Sequence, residues 1–104
     1  HDALPIFASR ACTLLDVSGK PLIDYKVYQV NPSGKFGHAS AGVPDSTGLL
    51  RFGVLDGRGR VIVPFEYDDI TIFSEWDSAA TAYVERGIAE VKGKKYPFAL
   101  RRGE

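Results

Sequence analysis

Phe52-Gly53-Val54-Leu55-Asp56-Gly57-Arg58-Gly59-Arg60-Val61-Ile62-Val63-Pro64-Phe65-Glu66-Tyr67-Asp68-Asp69-Ile70 spells a β-hairpin. Phe52 to Leu55 is a short apolar run. Asp56 to Gly59 is turn chemistry, because glycine accepts the positive φ that tight turns demand and Asp bonds the amides that follow it. Val61-Ile62-Val63 is β-branched and apolar, and Pro64, with no N–H to give a ladder, suits the end of that strand. Phe65 to Asp68 alternates apolar and polar, as a half-buried extended segment does.

An offset of 40 residues connects this hairpin to an earlier one. Asp16 falls on Asp56, Gly19 on Gly59, Lys20 on Arg60, Tyr25 on Phe65 and Val30 on Ile70. Agreement in both turn chemistry and apolar positions marks an internal repeat. Asp16 and Asp56 are expected to open equivalent turns, with Gly19 and Gly59 at equivalent positions and Gly57 and Pro64 completing the second unit. Beyond Gly48 and outside these hairpins, Thr81–Glu85, Ile88–Lys92 and Tyr96–Leu100 suggest a meander, with turns at Arg86-Gly87 and Gly93-Lys94. Ser74 and Asp77 have capping-box spacing, so a short helix near 74–85 competes with strand there. Asn31 to Gly48, about 18 residues rich in Gly, Ser and Pro, suggests a long loop. The fold class expected is all-β: antiparallel hairpin repeats in a meander, with that one possible helix.

Phe52 to Glu75 resembles a bacterial WG repeat. That family runs aromatic-Gly, two apolar residues, Asp, a Gly-containing turn, a basic residue, an apolar triplet, Pro, an aromatic residue, Tyr-Asp and an apolar residue. Phe73-Ser74-Glu75 matches what commonly follows. Here Phe52-Gly53 stands for Trp-Gly, Asp24 replaces the proline in the earlier unit, and Trp76 stands where Gly is usual. The resemblance implies a non-enzymatic β-repeat binding or scaffolding module for a protein partner. An accessory domain of a bacterial enzyme or toxin, or a neutralising partner for one, is the alternative. It carries over no catalytic residues and no cofactor.

The chain has 104 residues, room for one domain. Residues 7–104 are expected to form a single β-repeat fragment, in units of about 12–51 and 52–104. His1 to Ile6 matches the translation of a short-read sequencing adapter (CAC-GAC-GCT-CTT-CCG-ATC) and is expected to be foreign to the fold. The 13 basic and 13 acidic side chains cancel, which disfavours a dedicated nucleic-acid binder. No apolar run approaches the roughly 20 residues of a membrane-spanning helix.

Chemistry-bearing residues are sparse. Glu66, Asp68 and Asp69 match no known cation loop, and Asp68 is expected to accept turn amides instead. His38 and Cys12 lack the further ligands of a metal site. Gly37-His38 with Trp76-Asp77 mimics a propeller-blade signature, but the strands between do not alternate as a blade requires. Lys92, Lys94, Lys95, Arg101 and Arg102 form a basic cluster of the kind that guards an edge strand. Tyr67, Phe73 and Trp76 are the candidate binding residues: on a shared exposed face they would anchor a partner.

Overall fold

The computed structural model describes residues 11–32 and 37–100. His1–Ile6, Lys35, Arg101 and Arg102 lie outside them. The fold is all-β, with seven antiparallel strands: β1 Tyr28–Pro32, β2 Ala39–Pro44, β3 Leu50–Leu55, β4 Val61–Tyr67, β5 Asp69–Asp77, β6 Ala82–Val91 and β7 Lys94–Leu100. They form one sheet in the order β1-β2-β3-β4 and a second in the order β5-β6-β7.

Period-two alternation sorts the side chains of each sheet between two faces. Phe52 and Val54 of β3 meet Ile70, Ala89 and Leu100 of the second sheet, with Leu50, Val63, Tyr67, Ile72 and Phe98 packed around them. The opposite face of the first sheet buries Ala41 and Leu55 beneath Ile23 and Val27. Those last two belong to residues 11–27, which fold over that face through isolated bridges between Cys12 and Val27 and between Leu15 and Pro21.

Asp16, Asp45 and Asp56 open three turns of one design. In each, the Asp carbonyl accepts the amide of the glycine three residues on, at 3.0 Å. Its Oδ1 accepts two further amides, those of Ser18 and Lys20, Thr47 and Leu49, or Arg58 and Arg60. The glycines Gly19, Gly48 and Gly59 have φ of +90°, +89° and +81°, a region that L side chains avoid. The Asp45 turn lies inside the stretch that the sequence suggested was loop. That stretch contains β2, so the loop expectation is corrected.

Two more expectations change. The possible helix near 74–85 is replaced by the end of β5, a turn and the start of β6. Capping chemistry is present, but Asp77 Oδ1 accepts the amides of Ala79 and Ala80 in a hairpin turn, at 3.0 and 3.3 Å. Arg86-Gly87 is no turn, because β6 runs through it from Ala82 to Val91. Gly87 is needed there as a flat spot: the Phe98 ring of β7 lies where a Cβ would stand. The same aromatic-over-glycine contact recurs where Phe52 covers Gly42 and Phe65 covers Gly53.

The corner between the sheets is Asp68. Its N–H donates to the Glu90 carbonyl at 2.8 Å, its Oδ2 accepts the Lys92 amide at 2.8 Å, and its Oδ1 accepts the Arg51 guanidinium. Arg51 also donates to Asp45 Oδ2 at 3.1 Å, joining the corner to the β2–β3 turn.

These turns make acid stability predictable in sign. The hydroxyl of Thr47, with its amide, draws the Asp45 carboxyl down to about 2. The Ser18 hydroxyl and the Lys20 amide lower Asp16. Burial pushes Asp56 up, and the Arg60 and Arg58 amides with the Arg60 guanidinium outweigh it, leaving it lowered. A carboxyl depressed in the folded state stabilises fully above its unfolded value of about 3.9 and loses that stabilisation as pH falls through its folded value. Urea midpoints are therefore expected to fall between about pH 4 and about pH 2. Asp45→Asn, which cannot ionise, should flatten that slope; an unchanged slope would detach Asp45 from acid stability.

Candidate functional site

The two sheets do not close on each other along one side. β4 and β7 are edge strands, each paired on one side only. Between them lies a cleft of about 610 Å³, lined by Ile62, Val63, Pro64 and Tyr67 of β4, Ala89 of β6 and the end of β7. The β7 wall is graded. Tyr96, Phe98 and Leu100 alternate onto the cleft side, and they run from exposed through half-buried to buried.

Each edge carries a proline. β4 pairs with β3 at Val63 and again at Tyr67, with a shift in register between, and Pro64 lies in that shift. This corrects its placement at a strand end: β4 continues past it, because the irregular stretch does not ask for its missing N–H. Pro97 sits in β7 opposite Ile88. An edge strand tolerates proline when its nitrogen faces away from the ladder, and such an edge is a poor template for another strand.

The three aromatic candidates are not brought together. Tyr67 lines the cleft, half-buried. Phe73 and Trp76 are three apart on β5, so they point to opposite faces. Phe73 lies opposite Arg86 on the outer face. Trp76 lies opposite Tyr83 on the inner face but beyond the core, and the two rings meet edge to face at 5.3 Å with 53% and 49% exposure. Asp16, Gly19, Asp56, Gly57 and Gly59 all lie in the Asp-led turns and serve the backbone; none lines the cleft.

One polar pair went unread in the sequence. His38 Nδ1 lies 2.6 Å from Glu85 Oε1, and the two side chains are 1% and 0% exposed. The pair ties the start of β2 to β6 between the sheets. Neither residue has a motif around it, and 47 positions separate them, so spacing held no signal. Cys12 packs against the Ile23–Val27 cluster. Asp68 is occupied by Arg51 and the Lys92 amide, and no group of three His, Cys, Asp or Glu able to hold a metal occurs among the described residues. No family model, curated protein or solved structure matches the chain.

Proposed function

We propose that this chain is a non-enzymatic β-repeat module that binds a protein partner through the cleft between β4 and β7. The cleft itself carries the reading: it is apolar, open to solvent and of ligand-site size, about 610 Å³ against roughly 300–1,000 Å³ for ligand pockets. Exposed apolar surface of this kind marks interaction sites. Sealing of the His38–Glu85 pair between the sheets supports a binding role over catalysis, since no substrate reaches it. The recurring Asp-led turn supports a repeat origin, and the WG-like stretch Phe52 to Glu75 supports a bacterial repeat array as its setting.

Selection from a random peptide library on the immobilised chain tests this. Ligands should be enriched, and their affinity should fall at least about tenfold in Ile62→Lys, which places a charge on the exposed cleft wall without entering the core. Enrichment of nothing, or of ligands indifferent to Ile62→Lys, would overturn it.

A further inference from the structure

We infer that the free edge of β5 is a docking site for one extended strand of a partner protein that carries lysine or arginine at alternate positions. The site lies apart from the cleft between β4 and β7 and does not depend on it.

The edges of the sheets supply the first observation. An unpaired edge presents a row of N–H and C=O groups to another strand, and folded proteins blunt it with proline, lysine, bulges or short length. Among the described residues the edge strands are β1, β4, β5 and β7. β1 is five residues long, breaks register between Tyr28 and Asn31 and ends on Pro32. Pro64 sits in the register shift of β4, and β7 carries Lys94, Lys95 and Pro97. β5 has none of these guards. It runs for nine residues, holds no proline or lysine, and pairs with β6 without a register shift. Thr71, Ile72, Phe73 and Trp76 are strand formers. Beside its first half a groove of about 400 Å³ separates Asp69–Ile72 from Asn31 and Pro32. A paired strand lies about 4.8 Å from its neighbour, and the groove leaves room for one.

Charge names the occupant. Asp69, Thr71, Phe73, Glu75 and Asp77 share the outer face of β5, and the strand contains no lysine or arginine. Arg86 of β6 is divided between Glu75 at 3.4 Å and Asp77 at 3.7 Å. Asp69 is in register with Glu90, like charge beside like charge, and has no ion-pair partner among the described residues. The cations nearest that end are committed or remote. Arg51 is held by Asp45 and Asp68. Lys92, in the β6–β7 turn, and Lys95, on β7, lie on the far side of β6. The three carboxylates of β5 stand an even number of residues apart, so alternate positions of one added strand meet them all. Basic residues there are the complement, and opposite charges across paired strands stabilise the ladder that forms. Their aliphatic stems can lie along Phe73, which is 36% exposed. A second copy of the chain fits poorly. Two β5 edges paired antiparallel about Phe73 would set Asp69 against Asp77, and like charges directly opposite destabilise a sheet.

The test uses the full chain and synthetic peptides long enough to span β5, one alternating lysine with valine and one alternating glutamate with valine. The lysine peptide should bind at least about tenfold more tightly at low salt, an advantage that high salt should shrink. It should slow hydrogen exchange at amides within Asp69–Asp77 and leave the resonances of Ile62 and Phe98 in place. Two further lysine peptides are N-methylated, one at every lysine and one at every valine. An added strand turns alternate N–H groups toward its neighbour, so one of these should lose binding and the other keep it. Asp69→Asn combined with Glu75→Gln, both exposed positions, should weaken the lysine peptide at least about tenfold, and Ile62→Lys should leave it unchanged. Two methylated peptides that both bind like the parent would overturn strand addition. Equal affinity for the lysine and glutamate peptides would overturn the basic occupant. Failure of every peptide to bind, or protection centred on the β4–β7 cleft, would overturn the site. A dimer of the chain alone that protects the same β5 amides would give the edge to a second copy and overturn the assignment.

Discussion

Removing the His38 imidazole while Glu85 stays in place is expected to destabilise the fold by about 1–3 kcal/mol, the usual cost of deleting one hydrogen-bond partner of a buried polar group. The pair sits between the sheets with 1% and 0% exposure and a 2.6 Å contact. In His38→Ala the Glu85 carboxylate loses that partner and faces a cavity lined by β-sheet. A small domain holds about 5–15 kcal/mol in total, so the loss is a sizeable share of it. Glu85→Ala should behave similarly. Replacing both by leucine should cost less than the sum of the single changes, because both single changes break the same contact. A urea-denaturation double-mutant cycle measures the coupling. Single variants that each lose under about 1 kcal/mol would show the pair to be solvated, as surface pairs are.

Gly53→Ala should lose at least about 2–3 kcal/mol, by overpacking that no side-chain motion can relieve. A Cβ on Gly53 would collide with the Val63 carbonyl and stand 2.9 Å from the Pro64 carbonyl carbon and 3.0 Å from the Phe65 ring. The first two are backbone, so β4 itself must shift, and with it the register that places Val63 and Tyr67 on the cleft. Gly57→Ala is the matched control. Its nearest neighbour would be the Gly37 carbonyl at 3.7 Å, an ordinary contact, and its φ is not positive. It should be neutral or slightly stabilising, by roughly 0.4–1 kcal/mol. In a domain of this size each 1 kcal/mol moves Tm by about 4–8 °C, so thermal unfolding separates the two. Equal Tm values would mean that β3 and β4 do not approach so closely. The same contact explains the aromatic-glycine and proline elements of the WG-like stretch: Gly53 clears space for the irregular backbone around Pro64.

Local chemistry made the strands and turns legible. An Asp that bonds the next amides and a glycine with positive φ define a turn wherever they occur, so Asp16-Gly19 and Asp56-Gly59 were readable before any packing was known. The apolar run Phe52 to Leu55 and the alternation of Phe65 to Asp68 did the same for the strands. Asp45-Ser46-Thr47-Gly48 carried the same signal, and it was masked by the loop-like composition around it.

Tertiary structure decided the rest. Ala39-Ser40-Ala41-Gly42 has weak strand propensity, and it is a strand because it is pinned between β1 and β3. Small residues are required there, since the Phe52 ring lies 3.1 Å from where a Gly42 Cβ would stand. Gly87 looked like a turn and is mid-strand, because Phe98 from β7 occupies the space above it. Whether Tyr67, Phe73 and Trp76 share a face depended on β5 being a strand throughout, in which a spacing of three sends side chains to opposite sides. The cleft and the His38–Glu85 pair both arise where the two sheets meet, and no local pattern encodes the meeting of segments that far apart in the chain.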